Sequence, residues 1–299
     1  MKTNTEMRNV YLLVASLMLL SLGSCDLINP EEGIPAYIAV NSAQLNTSLS
    51  EGSNSERITE AWLSVNGNFL GAYTLPSPSV PILTTGPTEI ALQAGIKDNG
   101  INSTPDIYPF YDIYTTTVDL EADATVEIKP VYNYRDNTQF AFIEDFQGAS
   151  QVFQDIVVGN EEQLTIVSED AFEGGASAKI TLDTSSIIFQ AATLERYANL
   201  VSSSSATVYL EVNYKSDVPV TFGVVGYASG ATNGETIFSP GFLPSENWNK
   251  IYFNLSLMIS QINLDEYQVI FQAFIPIEGG ELTMESANVW LDNIKLVHF

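Results

Sequence analysis

The sequence predicts an all-β protein, an immunoglobulin-like sandwich followed by a jelly-roll sandwich. Three observations predict it. Hydrophobic residues alternate with a period of two in many short runs, cleanest in Thr207 to Tyr214, where Val208, Leu210, Val212 and Tyr214 share one face. Asn66-Gly67 sits between two such runs and is the strongest short-range signal for a hairpin. Nothing in residues 36 to 134 sustains a helical period.

The chain begins with a different pattern. Lys2 and Arg8 precede the apolar run Val10 to Leu22, which is too short to cross a bilayer and suits a signal peptide. Leu22-Gly23-Ser24-Cys25 then resembles the lipobox of bacterial lipoproteins. That resemblance implies cleavage before Cys25, leaving it as a lipidated N-terminus tied to the membrane by two or more acyl chains. It also implies the outer membrane, with the leaflet open, and an incidental cysteine after an ordinary signal is the alternative. Residues 1–24 are read as the signal peptide and 25–35 as a polar tether.

Strands are expected next at Ala36 to Val40 and Ala61 to Val65, with Phe69 to Leu75 returning from the hairpin. Further strands follow at Thr88 to Leu92, Tyr114 to Leu120 and Thr125 to Val131. Together they define a first domain at 36–134. Leu63-Ser64-Val65-Asn66-Gly67-Asn68-Phe69-Leu70-Gly71 and the strand Glu89-Ile90-Ala91-Leu92 resemble the PEGA-type immunoglobulin-like modules of bacterial envelopes. Such modules imply a spacer or docking unit.

A polar junction, Tyr132 to Thr138, leads to a second domain at 139–299. Its expected strands are Phe142 to Phe146, Ser177 to Leu182, Thr207 to Lys215, Val220 to Ala228, Lys250 to Leu255, Tyr267 to Ile275 and Ala287 to Phe299. Leu255 to Ile262 is the one helical piece. The order of Glu144-Asp145-Phe146, Glu173-Gly174-Gly175, Trp248-Asn249-Lys250-Ile251 and Leu291-Asp292-Asn293-Ile294 resembles the galactose-binding-like jelly rolls of carbohydrate-binding modules. The whole arrangement looks like uncharacterised lipoproteins of Bacteroidetes-type bacteria.

Composition narrows the chemistry. With 11 Lys and Arg against 36 Asp and Glu, the net charge is -25, which excludes nucleic acid as a partner. At 45% hydrophobic residues the chain is not disordered. One histidine, His298, and one cysteine destined for lipid leave little for catalysis. A carboxylate-based glycoside hydrolase is the only enzyme the composition permits.

The jelly-roll resemblance implies a structural calcium held by Glu144, Glu173, Gly175 and Asp292, a hard cation that takes six to eight oxygens. The alternative is that these carboxylates cap strands or accept backbone amides. For sugar contact the candidates are the aromatics expected in loops, Tyr197, Tyr227, Phe238 and Phe242, with Trp62, Trp248 and Trp290 expected in the core. These features point to a lipid-anchored protein that binds a glycan or polymer without catalysis. A structural subunit docking other envelope proteins is the rival.

Overall fold

The computed structural model describes Met7, Tyr11, residues 33 to 201 and residues 206 to 299. Apart from Met7 and Tyr11, the expected signal peptide lies outside the described residues, as do Cys25 and the tether up to residue 32. No helix among the described residues is long and apolar enough to cross a membrane.

Strand ladders fall into two groups along the chain. In the first, the hairpin forms as expected: Asn66 and Gly67 adopt φ of 47° and 77°, the left-handed conformations that a two-residue turn requires. The strands it joins, Glu60–Val65 and Asn68–Thr74, pair antiparallel. Gly86–Lys97 backs Glu60–Val65 on one side and takes Tyr114–Leu120 and Pro105–Ile107 on the other. A second sheet forms where Ala36–Val40 pairs antiparallel with Val80–Ile82 and parallel with Thr125–Ile128. Ile38, Val40, Leu63, Val65, Ile90, Leu92 and Leu120 close the core between them.

The second group is a sandwich of two antiparallel sheets. One runs Leu164–Val167, Ser177–Asp183, Ser286–His298, Val208–Ser216, Ser245–Asn254, with Gln139–Glu144 also paired to Ser286–His298. The other runs Asp155–Val158, Ile188–Ala192, Glu266–Phe274, Val220–Tyr227, Glu235–Phe242, with Tyr197–Ala198 beside Glu266–Phe274. Alternation places Val208, Leu210 and Val212 from one sheet against Phe222, Val224 and Phe271 from the other. The expected helical piece is Ser256–Ile262, closed by Asn263 in the left-handed region.

Three expectations about aromatics are corrected. Trp62, Trp248 and Trp290 are half-buried on outer faces instead of filling cores. Trp290 lies between Lys179 and Lys215, whose ammonium groups are 5.4 and 4.5 Å from its ring. Period two shows that these side chains share a face with polar neighbours, and Trp is large enough to lie half-covered there.

The two groups meet across an aromatic layer. Tyr108, Phe110, Tyr111, Tyr132 and Tyr134 pack against Tyr209, Tyr252 and Val297 on the outer face of the sheet that contains Val208–Ser216. Within this layer Glu211, fully buried, forms a 2.6 Å ion pair with Lys250 and accepts 2.7 Å hydrogen bonds from the Tyr108 and Tyr134 hydroxyls. Lys295 donates to Ser53 O at 2.6 Å. Burial alone would raise the Glu211 carboxyl, but Lys250 and Lys295 outweigh it and hold it below the usual range. The same burial pushes Lys295 down to about 8.

Candidate ligand-binding face

Since residues 36 to 134 pack on the outer face of the sheet that contains Val208–Ser216, the other sheet presents its outer face away from them. Register assigns its rows. Gln190, Gln272 and Thr221 lie side by side, and Ala192, Ile270, Gly223 and Phe238 form the next row. Gln268, Val225 and Thr236 make a third, and Tyr227 with Glu266 the fourth. The floor is apolar and closed: Ile270, Ala192, Val225 and Tyr227 form one buried cluster with Phe238 packed on it. Around it the amides of Gln190 and Gln272 are half-buried and bonded to each other at 2.5 Å.

Gly223 is fixed by this geometry, since a methyl there would run into the carbonyl oxygen of Ile237 on the next strand. At the far end, Tyr227 donates to Gln268 Oε1 at 2.5 Å, and Gln268 donates to Asp155 at 3.2 Å. Arg196 closes that end. Its guanidinium stacks 3.5 Å from the centre of the Tyr227 ring, donates to Ala231 O at 2.7 Å and lies 3.8 Å from Glu266. The arrangement offers donors and acceptors at fixed spacing beside the partly exposed Phe238 ring, the combination that recognises polyhydroxylated molecules.

Of the four candidate aromatics, the structure brings Tyr227 and Phe238 together on this face. Both belong to strands, so the loop placement expected for them is corrected. Tyr197 and Phe242 are corrected further, because they point inward. Tyr197 packs on the core 5.3 Å from Phe142, and Phe242 is 4% exposed and stacks 3.7 Å from Tyr214. Gln190, Gln268, Gln272 and Arg196 were not singled out in the sequence. Glutamines four residues apart on one face of a strand, Gln268 and Gln272, were the available signal.

The calcium candidates do not converge as a set. Glu144 accepts the Phe146 amide on one carboxylate oxygen and the Val152 amide on the other. Asp292 accepts the amides of Phe172 at 3.1 Å, Glu173 at 3.3 Å and Asn293 at 2.8 Å. Gly175 donates its own amide to Gln147. Glu173 accepts from Ser53 at 2.5 Å. No three His, Cys, Asp or Glu side chains gather as a metal-binding group among the described residues. Asp292 and Glu173 do lie close enough to interact: burial, with the Glu173 charge adding to it, raises the Asp292 carboxyl to about 7 despite the three amides.

No family model matches the sequence, and no curated protein does. Solved structures similar to it include the CBM22-2 xylan-binding domain from Paenibacillus barcinonensis Xyn10C, at 13% identity and a TM-score of 0.38, covering 53% of this chain and 99% of that one. A carbohydrate-binding module of the β-sandwich superfamily aligns at 13% identity and a TM-score of 0.36, over 89% of this chain and 99% of its own. The family 11 module from Clostridium thermocellum, in complex with a mixed-linked tetrasaccharide, gives 15% identity, a TM-score of 0.37 and coverage of 53% and 94%. Likeness at this level names no relative, and the functional reading rests on the residues.

Proposed function

We propose that this chain is a lipid-anchored envelope protein that binds a neutral glycan on the outer face of the sheet containing Glu266–Phe274, without catalysis. One observation carries the reading. The half-buried Gln190 and Gln272 amide pair adjoins an apolar floor ending in Phe238, and this face is turned away from residues 36 to 134. Amides supply both donor and acceptor to sugar hydroxyls, and a phenyl ring covers the C–H side of a pyranose. The acids at the far end are engaged, Asp155 by Gln268 and Glu266 by Arg196, and His298 is 7% exposed at the end of the last strand.

Lipidation at Cys25 and placement in the outer membrane belong to the same reading. Replacing Cys25 with Ala is expected to release the protein from the membrane fraction, and protease shaving of intact cells reports the leaflet. A calcium ion beside Asp292 and Glu173 completes it, supported by two acids close enough to interact, one of them buried. A glycan screen of the full chain tests the binding reading. The full chain is needed because removing residues 36 to 134 would uncover Glu211, Lys250 and Lys295. Co-purification of a stoichiometric envelope protein without glycan signal would favour the assembly rival.

A further inference from the structure

Between the two groups of strands lies a cleft of about 350 Å³, at the small end of the range for ligand pockets. Its composition runs against the rest of the chain. Arg57, Lys97 and Lys250 line it and no carboxylate does, in a protein with 36 acids and 11 bases. Other surface clefts follow the overall balance, one carrying Asp145 and Glu173, another Glu161 and Glu162.

The three cations are not equivalent. Lys97 is paired with Glu60 and Lys250 with Glu211, both buried beneath the cleft. Arg57 has no carboxylate partner among the described residues. Its Nη1 donates to Asn249 Oδ1 and, at 3.4 Å, to Lys250 O, which fixes the guanidinium. Both Nη1 hydrogens are then used. What remains is Nε–H with Nη2, the edge of the guanidinium that matches a carboxylate with two parallel bonds.

The remaining lining suits hydroxyl groups. Tyr214 Oη accepts from Asn249 Nδ2 at 3.0 Å, and its own O–H donates to nothing among the described residues. Asn102 is exposed, with its amide in no hydrogen bond among the described residues, and Ile101 and Leu243 give an apolar wall. A polyanion would meet the field of the whole chain, so the fitting ligand is small and singly charged.

We propose that this cleft binds a uronic acid, its carboxylate on Arg57 and its hydroxyls on Tyr214 and Asn102. This is a second site, independent of the neutral-glycan face. Calorimetric titration of the full chain with glucuronate and galacturonate, against glucose, galactose and acetate, tests it. Binding is expected for at least one uronate, weakening as salt rises. Arg57→Ala is expected to weaken it about tenfold or more, and Arg57→Lys, which keeps charge but loses the fork, by less. Circular dichroism of each variant checks the fold, and Gln272→Ala on the other face should leave uronate binding unchanged. No heat with either uronate, equal binding of acetate, or full affinity in a folded Arg57→Ala protein would overturn the proposal. Loss of neutral-glycan binding alone would overturn only the earlier reading.

Discussion

Tyr108, from the first group of strands, donates a 2.7 Å hydrogen bond to Glu211 in the second, where that carboxylate is fully buried against Lys250. One charge cluster therefore ties the two groups together. The consequence is energetic. Glu211→Gln keeps the shape but leaves Lys250 and Lys295 buried without their counter-charge, and removing one partner of a buried pair costs about 3 to 5 kcal/mol. Urea unfolding of the full chain should show that loss, and Tyr108→Phe a smaller one of about 1.5 to 3 kcal/mol.

Alkaline pH reads the same cluster through Lys295. Its pKa is about 8 in the folded protein against an ordinary 10.5, so the unfolded chain binds more protons between those values. Stability contributed by this group should rise as pH goes from about 8 towards 10. Thermal unfolding across that window should show the rise, and Lys295→Met should lack it. Above pH 10 the trend reverses, since burial raises Tyr108, Tyr111 and Tyr252 and the unfolded chain then loses protons first.

Asp292 gives the opposite slope in acid. With its folded pKa raised to about 7 from 3.8, the native state holds a proton that the unfolded state releases. Its contribution should be most favourable near pH 4 and decline as pH rises to 7. Asp292→Asn should flatten that decline. Millimolar calcium should raise the thermal midpoint at pH 8 if a cation sits beside Asp292 and Glu173, and no shift with calcium or on chelation removes it.

The hairpin offers a local check. Gly67 has φ of 77°, where a side chain costs about 1 to 2 kcal/mol, so Gly67→Ala should destabilise by that amount. Chemical denaturation measures it.

How much was legible follows from what alternation encodes. Period two located Val208–Ser216 and Tyr114–Leu120 within a residue, and Asn66-Gly67 gave the turn itself. It says which residues share a face but not which face is covered. Phe242 and Tyr197, expected in loops, instead lie on strands whose packing turns them in. Glu211 lies on the polar side of its strand, where solvation is the ordinary outcome, and only the docking of Tyr108 and Tyr134 buries it. Tyr108-Pro109-Phe110-Tyr111 was a usable signal, because so many aromatics in a segment without alternation call for a partner surface. Glu235–Phe242 was missed because Pro240 and Gly241 interrupt its pattern, which an edge strand tolerates.

The central claim is sugar binding on the outer face, and titration of the full chain with neutral glycans selected from an array tests it most directly. The account predicts saturable binding that Gln272→Ala and Phe238→Ala each weaken about tenfold or more while Arg57→Ala leaves it intact. Absence of any neutral-glycan signal, or affinity unchanged in folded Gln272→Ala and Phe238→Ala proteins, would contradict it.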